Sequence, residues 1–349
     1  MSKLRIAVLG ASGYTGSELV RLLLNHPNAD LVALTADSKA GKAMAEVFPQ
    51  FAHASLPRLT RIEELDTAAV DVVFCALPHA TTQVVLKEIV GRNGGLKVID
   101  LSADFRLSDP AAYAKWYGHE HQALELQGEA VYGLAEIHRE KIRKARLVAN
   151  PGCFTTTALL ATLPLLKAGA IDPDEIVVDA KTGMSGAGRA AKEAMLFSEV
   201  AEGIHAYGVA SHRHTAELDQ EMSLAAGRPV VPSFTPHLTP MIRGIYATTY
   251  VRGVGGLGGA DLHELLAAAY ADEPFVTVLP LGQVPQSRHV KGSNHVQIGV
   301  VPDRQPGRTI VLSTLDNLVK GASGQAVQNM NLVVGLPEAT GLAQVALFP

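Results

Sequence analysis

Two cysteines occur in the 349 residues, Cys75 and Cys153, and their surroundings differ. Cys153 stands in Asn150-Pro151-Gly152-Cys153-Phe154-Thr155-Thr156-Thr157-Ala158-Leu159-Leu160, where a Pro-Gly turn runs into an apolar helical pattern. That order places a thiol at a helix N-terminus, where the dipole and the unsatisfied N–H groups favour thiolate. A thiolate in such a place is a nucleophile for acyl transfer, provided a base lies within reach. Ser211-His212-Arg213-His214-Thr215-Ala216-Glu217-Leu218 offers one. Glu217 follows His214 at helical spacing, where a carboxylate can orient an imidazole and raise its pKa. Either His212 or His214 fits the role of base, with His212 the first choice. Cys75, inside the continuous apolar run Val72-Val73-Phe74-Cys75-Ala76-Leu77, reads instead as a small buried hydrophobe. His26, His53, His119, His121 and His263 read as ordinary core or surface residues. No ligand cluster accompanies the His-x-His pair, so no metal site is expected.

Two glycine loops compete for a phosphate-binding role. Gly253, Gly255 and Gly258 satisfy the strict G-x-G-x-x-G spacing, whereas the N-terminal loop reads Gly10, Gly13, Gly16. A pyrophosphate loop needs a buried strand before it and a helix N-terminus after it. The N-terminal loop has both, with Leu4 to Leu9 before it and the helical pattern Ser17 to Leu24 after it. The 253–258 loop also leads into a helix pattern, Ala260 to Tyr270, but it follows an alternating strand and carries surplus glycines. Gly10, Ser12, Gly13, Tyr14, Thr15 and Gly16 are therefore the expected cofactor contacts, and residues 253–259 read as a surface connection. After the next strand pattern, Leu31 to Leu34, the chain carries Asp37, Ser38, Lys39 and Lys42. An acidic residue there suits the 2′-hydroxyl of NAD, and hydroxyls with cations suit the 2′-phosphate of NADP. Both signals are present, and the balance leans towards NADP.

These residues need a scaffold of some size, and composition supplies one. Hydrophobic residues make up 47% and charged residues 18%, which excludes a disordered chain. At ~150 residues per domain the length fits about two domains. The net charge of −4 is spread without a basic block, so neither nucleic acid nor an anionic membrane is an expected partner. No apolar run approaches ~18 residues and the N-terminus has no signal-peptide core, which points to a cytoplasmic protein. Two cysteines also exclude a disulfide framework and a multi-cysteine zinc site.

The expected fold class is α/β. Apolar runs at Leu4–Leu9, Leu31–Leu34, Val70–Leu77 and Val98–Leu101 alternate with helical patterns, giving a Rossmann dinucleotide-binding domain over 1–149. Longer, more alternating strands at Ile176–Ala180, Gly244–Arg252 and Val296–Val301 give an α+β catalytic and dimerisation domain over 150–314, with a mostly antiparallel sheet. Residues 315–349 are expected to form a closing helix, read over Leu315 to Val334, that packs back on the Rossmann domain.

Taken together, GASGYTG (10–16), LPH (77–79), DLSADFR (100–106), YGLAE (132–136), NPGCF (150–154), SGAGR (185–189), HRHTAE (212–217), HLTPMIRG (237–244) and NLVKGASGQAVQNMN (317–331) resemble the N-acetyl-gamma-glutamyl-phosphate reductase family over nearly the whole chain. The resemblance implies an NADPH-dependent acyl-phosphate reductase of arginine biosynthesis that works through a thioester on Cys153, with Glu217 tuning the histidine pair. It implies a small, anionic acyl-phosphate substrate, for which Arg106 and Arg243 are candidate guanidinium clamps with Ser185 and Asn150 beside them. Asn317 resembles the residue that meets the nicotinamide amide, and a homodimer or homotetramer is implied. Sister enzymes, a carrier-linked aminoadipyl-phosphate reductase of lysine biosynthesis or an aspartate-semialdehyde dehydrogenase, are the alternatives. The latter typically carry Asn where this chain has Gly152. A non-enzymatic alternative is an NADP-sensing regulator, which would have no need of a thiol at a helix N-terminus.

Overall fold

The computed structural model describes residues 3–348. The chain divides into two compact units, Met1–Pro151 with Ala322–Ala343, and Gly152–Gly321 with Gln344–Pro349. Of the closing stretch 315–349, residues 322–343 thus group with the first unit, and 315–321 and 344–349 with the second.

The first unit holds β1 (Leu4–Leu9), β2 (Ala29–Thr35), β3 (Leu59–Thr60), β4 (Val72–Cys75), β5 (Lys97–Asp100), β6 (Val131–Tyr132) and β7 (Leu147–Ala149). They form one sheet in the order β3-β2-β1-β4-β5-β7-β6, and every neighbouring pair runs parallel. The central strands carry continuous apolar stretches, as a sheet covered on both faces requires; Ile6 to Leu9 and Val73 to Cys75 are fully buried. Cys75 is one of these core residues, and burial pushes its thiol pKa well up. The helix after β1 spans Tyr14–Leu24 and so starts right at the glycine loop, earlier than the Ser17 read from periodicity.

In the second unit lie β8 (Val177–Gly183), β9 (His205–Ala206), β10 (Ser233–Thr239), β11 (Ile245–Arg252), β12 (Val276–Val278), β13 (Val296–Pro302) and β14 (Arg308–Leu315). Their order is β12-β13-β14-β11-β8-β10-β9. The sheet is mixed: β8/β10 and β12/β13 are parallel, and the other four neighbouring pairs antiparallel. Strict alternation along β11, Ile-Tyr-Ala-Thr-Thr-Tyr-Val-Arg, buries one side of the strand and leaves the other half-exposed. The helix Cys153–Lys167 is apolar all round and almost wholly buried. Its threonine hydroxyls tolerate that burial by donating back to carbonyls one turn earlier, Thr157 to Cys153 O at 2.8 Å and Thr162 to Ala158 O at 2.9 Å.

The expected single helix over 315–334 is not what forms. Leu315 still pairs with Ile245 in the sheet, a π-helical turn occupies Val319–Ser323, and the α-helix runs only over Gly324–Val333. The cause is Asp316. Its carboxylate accepts the N–H groups of Leu318 and Val319, and its carbonyl accepts that of Gly321, so the chain turns before helical bonding begins.

Candidate active site

Gly152 is the N-cap of the helix Cys153–Lys167, which makes Cys153 its first residue, half-buried. Glu217, fully buried, lies in the first turn of the helix His214–Ala226. Its Oε2 accepts the Gly152 N–H at 3.0 Å and is 3.1 Å from the Thr155 hydroxyl, which also reaches Gly152 O at 2.6 Å. The carboxylate thus satisfies a backbone donor at the start of the nucleophile helix, where negative charge is favourable. The spacing in the sequence pairs Glu217 with an imidazole; in the structure its carboxylate also reaches the backbone of the thiol-bearing turn.

The His214 ring packs against Gly152. A methyl group on that Cα would stand 2.5 Å from Nε2, 2.7 Å from Cε1 and 2.8 Å from Cδ2. His212 faces His214 edge to face at 4.7 Å between ring centres, and its Nδ1 accepts the His214 backbone N–H at 3.1 Å. Phe154 packs on both rings, with Phe234 and Tyr207 closing the aromatic cluster. Burial lowers the His212 pKa to about 4, against the opposing pull of Glu217, while Arg213 adds to the lowering. Burial and the nearby Cys153 sulfur raise the Tyr207 phenol pKa, so Tyr207 stays a neutral donor beside the thiol. Tyr207 was missed in the sequence, since nothing about a tyrosine in Ala206-Tyr207-Gly208 marks it.

A second group assembles close to Cys153. Gly321 lies so close that an added Cβ would be 2.7 Å from the Cys153 Cβ. Asn317, in the same segment, accepts the Gly244 N–H at 2.8 Å and donates to Ser185 Oγ at 2.9 Å. Residues 183–185 bond in turn to 241–244, through Met184 N–H to Met241 O, Ser185 N–H to Ile242 O and Gly183 N–H to Gly244 O. Arg243 Nη1 is 3.6 Å from Asp316, a fully buried carboxylate that also accepts the Gly292 N–H at 2.7 Å. The fold therefore gathers Ser185, Arg243 and Asn317 into one network. Asp316 and Gly321, its organisers, were not singled out beforehand; a buried carboxylate and a glycine owe their importance to partners distant in sequence.

The remaining expected residues belong to the first unit. Gly10 has φ +78, and a Cβ there would be 2.4 Å from Ala76 O; at Gly16 it would be 2.3 Å from Gly10 O. Only glycines fit this turn, which leads into the N-terminus of the helix Tyr14–Leu24, a helix with no acidic residue in its first turn. Its N–H groups suit an anion, and the loop fits a dinucleotide pyrophosphate, with Ser12, Gly13, Tyr14 and Thr15 lining it. The rival loop at 253–259 precedes a helix whose terminus is taken: Asp261 accepts the Gly258 N–H at 2.7 Å. Asp37, Ser38 and Lys42 are exposed after β2, with Lys39 half-exposed. Arg106 is buried and donates to Leu101 O at 2.9 Å. Asn150 is buried too, donating to Ala322 O and accepting from Asn329. Among the described residues, no group of three or more His, Cys, Asp or Glu is arranged to hold a metal ion. None of their helices is long and apolar enough to cross a membrane.

Known protein families match the chain in two stretches. Residues 5–145 match the semialdehyde dehydrogenase NAD binding domain, and residues 153–317 the semialdehyde dehydrogenase dimerisation domain. N-acetyl-gamma-glutamyl-phosphate reductase of Afipia carboxidovorans is 65% identical over 347 residues, covering 99% of both chains. The enzyme of that name from Rhodospirillum rubrum is 59% identical over 349 residues, again with 99% of both covered. The probable chloroplastic N-acetyl-gamma-glutamyl-phosphate reductase of Arabidopsis thaliana is 55% identical, over 99% of this chain and 86% of its own. Aspartate semialdehyde dehydrogenase II of Vibrio cholerae shares the fold, with a TM-score of 0.73 at 18% identity over 96% of this chain and 99% of its own. With relatives this similar along its full length, the chain belongs to the N-acetyl-gamma-glutamyl-phosphate reductase family of oxidoreductases, built on the semialdehyde dehydrogenase NAD-binding and dimerisation domains.

Proposed function

We propose that the protein reduces N-acetyl-L-glutamyl 5-phosphate to N-acetyl-L-glutamate 5-semialdehyde and phosphate in arginine biosynthesis, using NADPH. The observation that carries this reading is the turn Gly152-Cys153, where a thiol at a helix N-terminus follows the glycine on which the His214 ring packs, with Gly321 close against the Cys153 Cβ. A neutral imidazole at His214 takes the thiol proton as Sγ attacks the acyl carbon. The C–O bond to phosphate then breaks, leaving a thioester on Cys153. A bound nicotinamide supplies the hydride that reduces such a thioester. When the C–S bond breaks to release the aldehyde, the imidazolium returns its proton to sulfur. His214 suits this role better than His212, whose Nδ1 is engaged and whose burial keeps it a weak base. His212 acts as packing that holds the His214 backbone, and Glu217 positions the turn that bears the thiol.

Arg243 and Arg106 offer guanidinium charge to the anionic substrate, with Ser185 beside Asn317 at the reacting end. Asn150, tied to Ala322 and Asn329, shapes the chain leading to Cys153. Gly10 to Gly16 cradle the pyrophosphate, and Ser38, Lys39 and Lys42 face the 2′-phosphate. The dimerisation-domain match supports a homodimer or homotetramer, and the bacterial relatives of the same name fit a cytoplasmic location.

The test is NADPH oxidation by the purified protein with N-acetylglutamyl phosphate, aspartyl phosphate and carrier-bound aminoadipyl phosphate in parallel. The first should be turned over at least ~100-fold more efficiently. Preference for either of the others, or cofactor binding without turnover, would overturn the reading.

A further inference from the structure

In a Rossmann sheet the choice between NAD and NADP is made at the end of the second strand. Here that end carries Asp37, a carboxylate that suits a ribose hydroxyl and repels a phosphate, and no arginine occurs in residues 35–42. The fold brings one from the next strand. Ala36 N–H donates to Thr60 O, Gly41 N–H to Leu59 O and Leu59 N–H to Lys42 O, at 2.9, 2.7 and 2.9 Å. These bonds lay the loop 37–42 along β3 and set Arg58 beside it.

Arg58 Nη1 donates to Gly41 O at 2.8 Å and lies 3.9 Å from Glu46 Oε2. The Arg58 side chain is 71% exposed, so the contact with Gly41 anchors the guanidinium at the loop and leaves it facing water. Gly41 itself has φ +85, and nothing lies within 4 Å of where its Cβ would be. The space over the turn is open to a ligand. Lys39 and Lys42 thus stand on the turn that Arg58 reaches, with Asp37 on the same loop and Glu46 3.9 Å from the guanidinium.

We propose that Arg58 is the guanidinium that recognises the 2′-phosphate of NADPH, acting with Lys39 and Lys42 to outweigh Asp37. A planar fork of N–H donors matches a phosphate face in a way that the two lysine point charges do not. The Gly41 carbonyl holds the fork at the loop when no phosphate is present, so less ordering is needed on binding. This inference rests on the reading of the Gly10–Gly16 loop as the dinucleotide site, and it names what selects the cofactor there.

Binding of adenosine 2′,5′-bisphosphate and of 5′-AMP to the full chain, measured by calorimetry, separates the two ideas without relying on turnover. The wild-type protein should bind the bisphosphate more tightly. Arg58→Gln should weaken bisphosphate binding about tenfold or more, as expected for loss of a charge-assisted pair, with 5′-AMP affinity shifting less than about twofold. The KM for NADPH should rise in parallel and that for NADH should not. If wild type discriminates and Arg58→Gln discriminates equally well, Arg58 is not the selector and the proposal falls alone. If wild type does not discriminate, the NADP reading fails, and this proposal with it.

Discussion

Gly152 and His214 are in contact across the nucleophile turn, and the glycine has no side chain because the imidazole occupies its place. The methyl group of an alanine would stand 2.5 Å from Nε2, far inside van der Waals contact. Either the ring or the turn bearing Cys153 must then move. We expect Gly152→Ala to lower kcat by about 100-fold or more, since displacement of a proton acceptor by about an ångström has that effect. Far-UV circular dichroism should stay unchanged, because Gly152 has ordinary extended φ, ψ of −66° and 151°. An alanine variant with wild-type turnover would remove His214 from the chemistry.

The two histidines should separate on pH. His214→Asn is expected to lose at least ~100-fold in kcat/KM. His212→Asn should keep most of its activity, because the asparagine oxygen can accept the His214 N–H in place of Nδ1. Stability should change the other way. His212 titrates near pH 4 in the folded protein, below the usual 6.5, so between those values the unfolded chain takes up a proton that the native state refuses. Stability therefore falls as pH drops from about 6.5 to about 4, by at most ~3 kcal/mol and less after solvent screening. Urea melts of His212→Asn should show a shallower acid limb, and an identical limb would mean that another group carries it.

Much of this was legible in advance, and the reasons for what was not are physical. Continuous apolar runs marked the parallel strands of the first unit, because a sheet covered on both faces needs them. Cys153 was legible because a Pro-Gly turn before an apolar helix is a local signal. The partner of Glu217 was not, because i, i+3 spacing names a neighbour on its own helix and says nothing of Gly152, far off in sequence. The closing helix was read too long for a related reason. Helical periodicity over 315–334 does not reveal that Asp316 binds the N–H groups that would have continued it. Nor could a lone arginine at 58 be linked to Gly41 before β2 and β3 were seen to pair.

Thiol chemistry should distinguish the cysteines. Cys75 is fully buried, and burial raises its pKa well above the usual value, so it should not react with a water-soluble disulfide reagent under native conditions. Cys153, half-buried at a helix N-terminus, should react alone and be protected by substrate. Cys153→Ser should abolish acyl-phosphate reduction, whereas Cys75→Ala should retain it at a cost of about 1–2 kcal/mol in stability for a small core cavity. Reaction of both thiols at equal rates in the folded protein would contradict the assignment.

Asp316 allows the integrity of the fold to be separated from the grip on substrate. Its two oxygens accept three backbone N–H groups, of Gly292, Leu318 and Val319, and stand 3.6 Å from Arg243. Removing the acceptors with Asp316→Ala strands those donors in a dry interior, at about 1–3 kcal/mol for each that finds no water, so a marked drop in Tm is expected. Asp316→Asn keeps one oxygen, which can still accept from Leu318 and Val319, but turns an NH2 toward the Gly292 N–H. It should therefore stay folded with a smaller drop in Tm, and it loses the charge that faces the guanidinium. Gly321 is held by the Asp316 carbonyl, which the substitution does not touch, so its packing against Cys153 should survive. The asparagine variant should therefore show a raised KM for the acyl phosphate, by roughly tenfold for a weakened charged contact, with near-normal labelling of Cys153. If KM is unchanged while Tm falls, Asp316 serves the fold alone and Arg243 needs no partner to hold substrate.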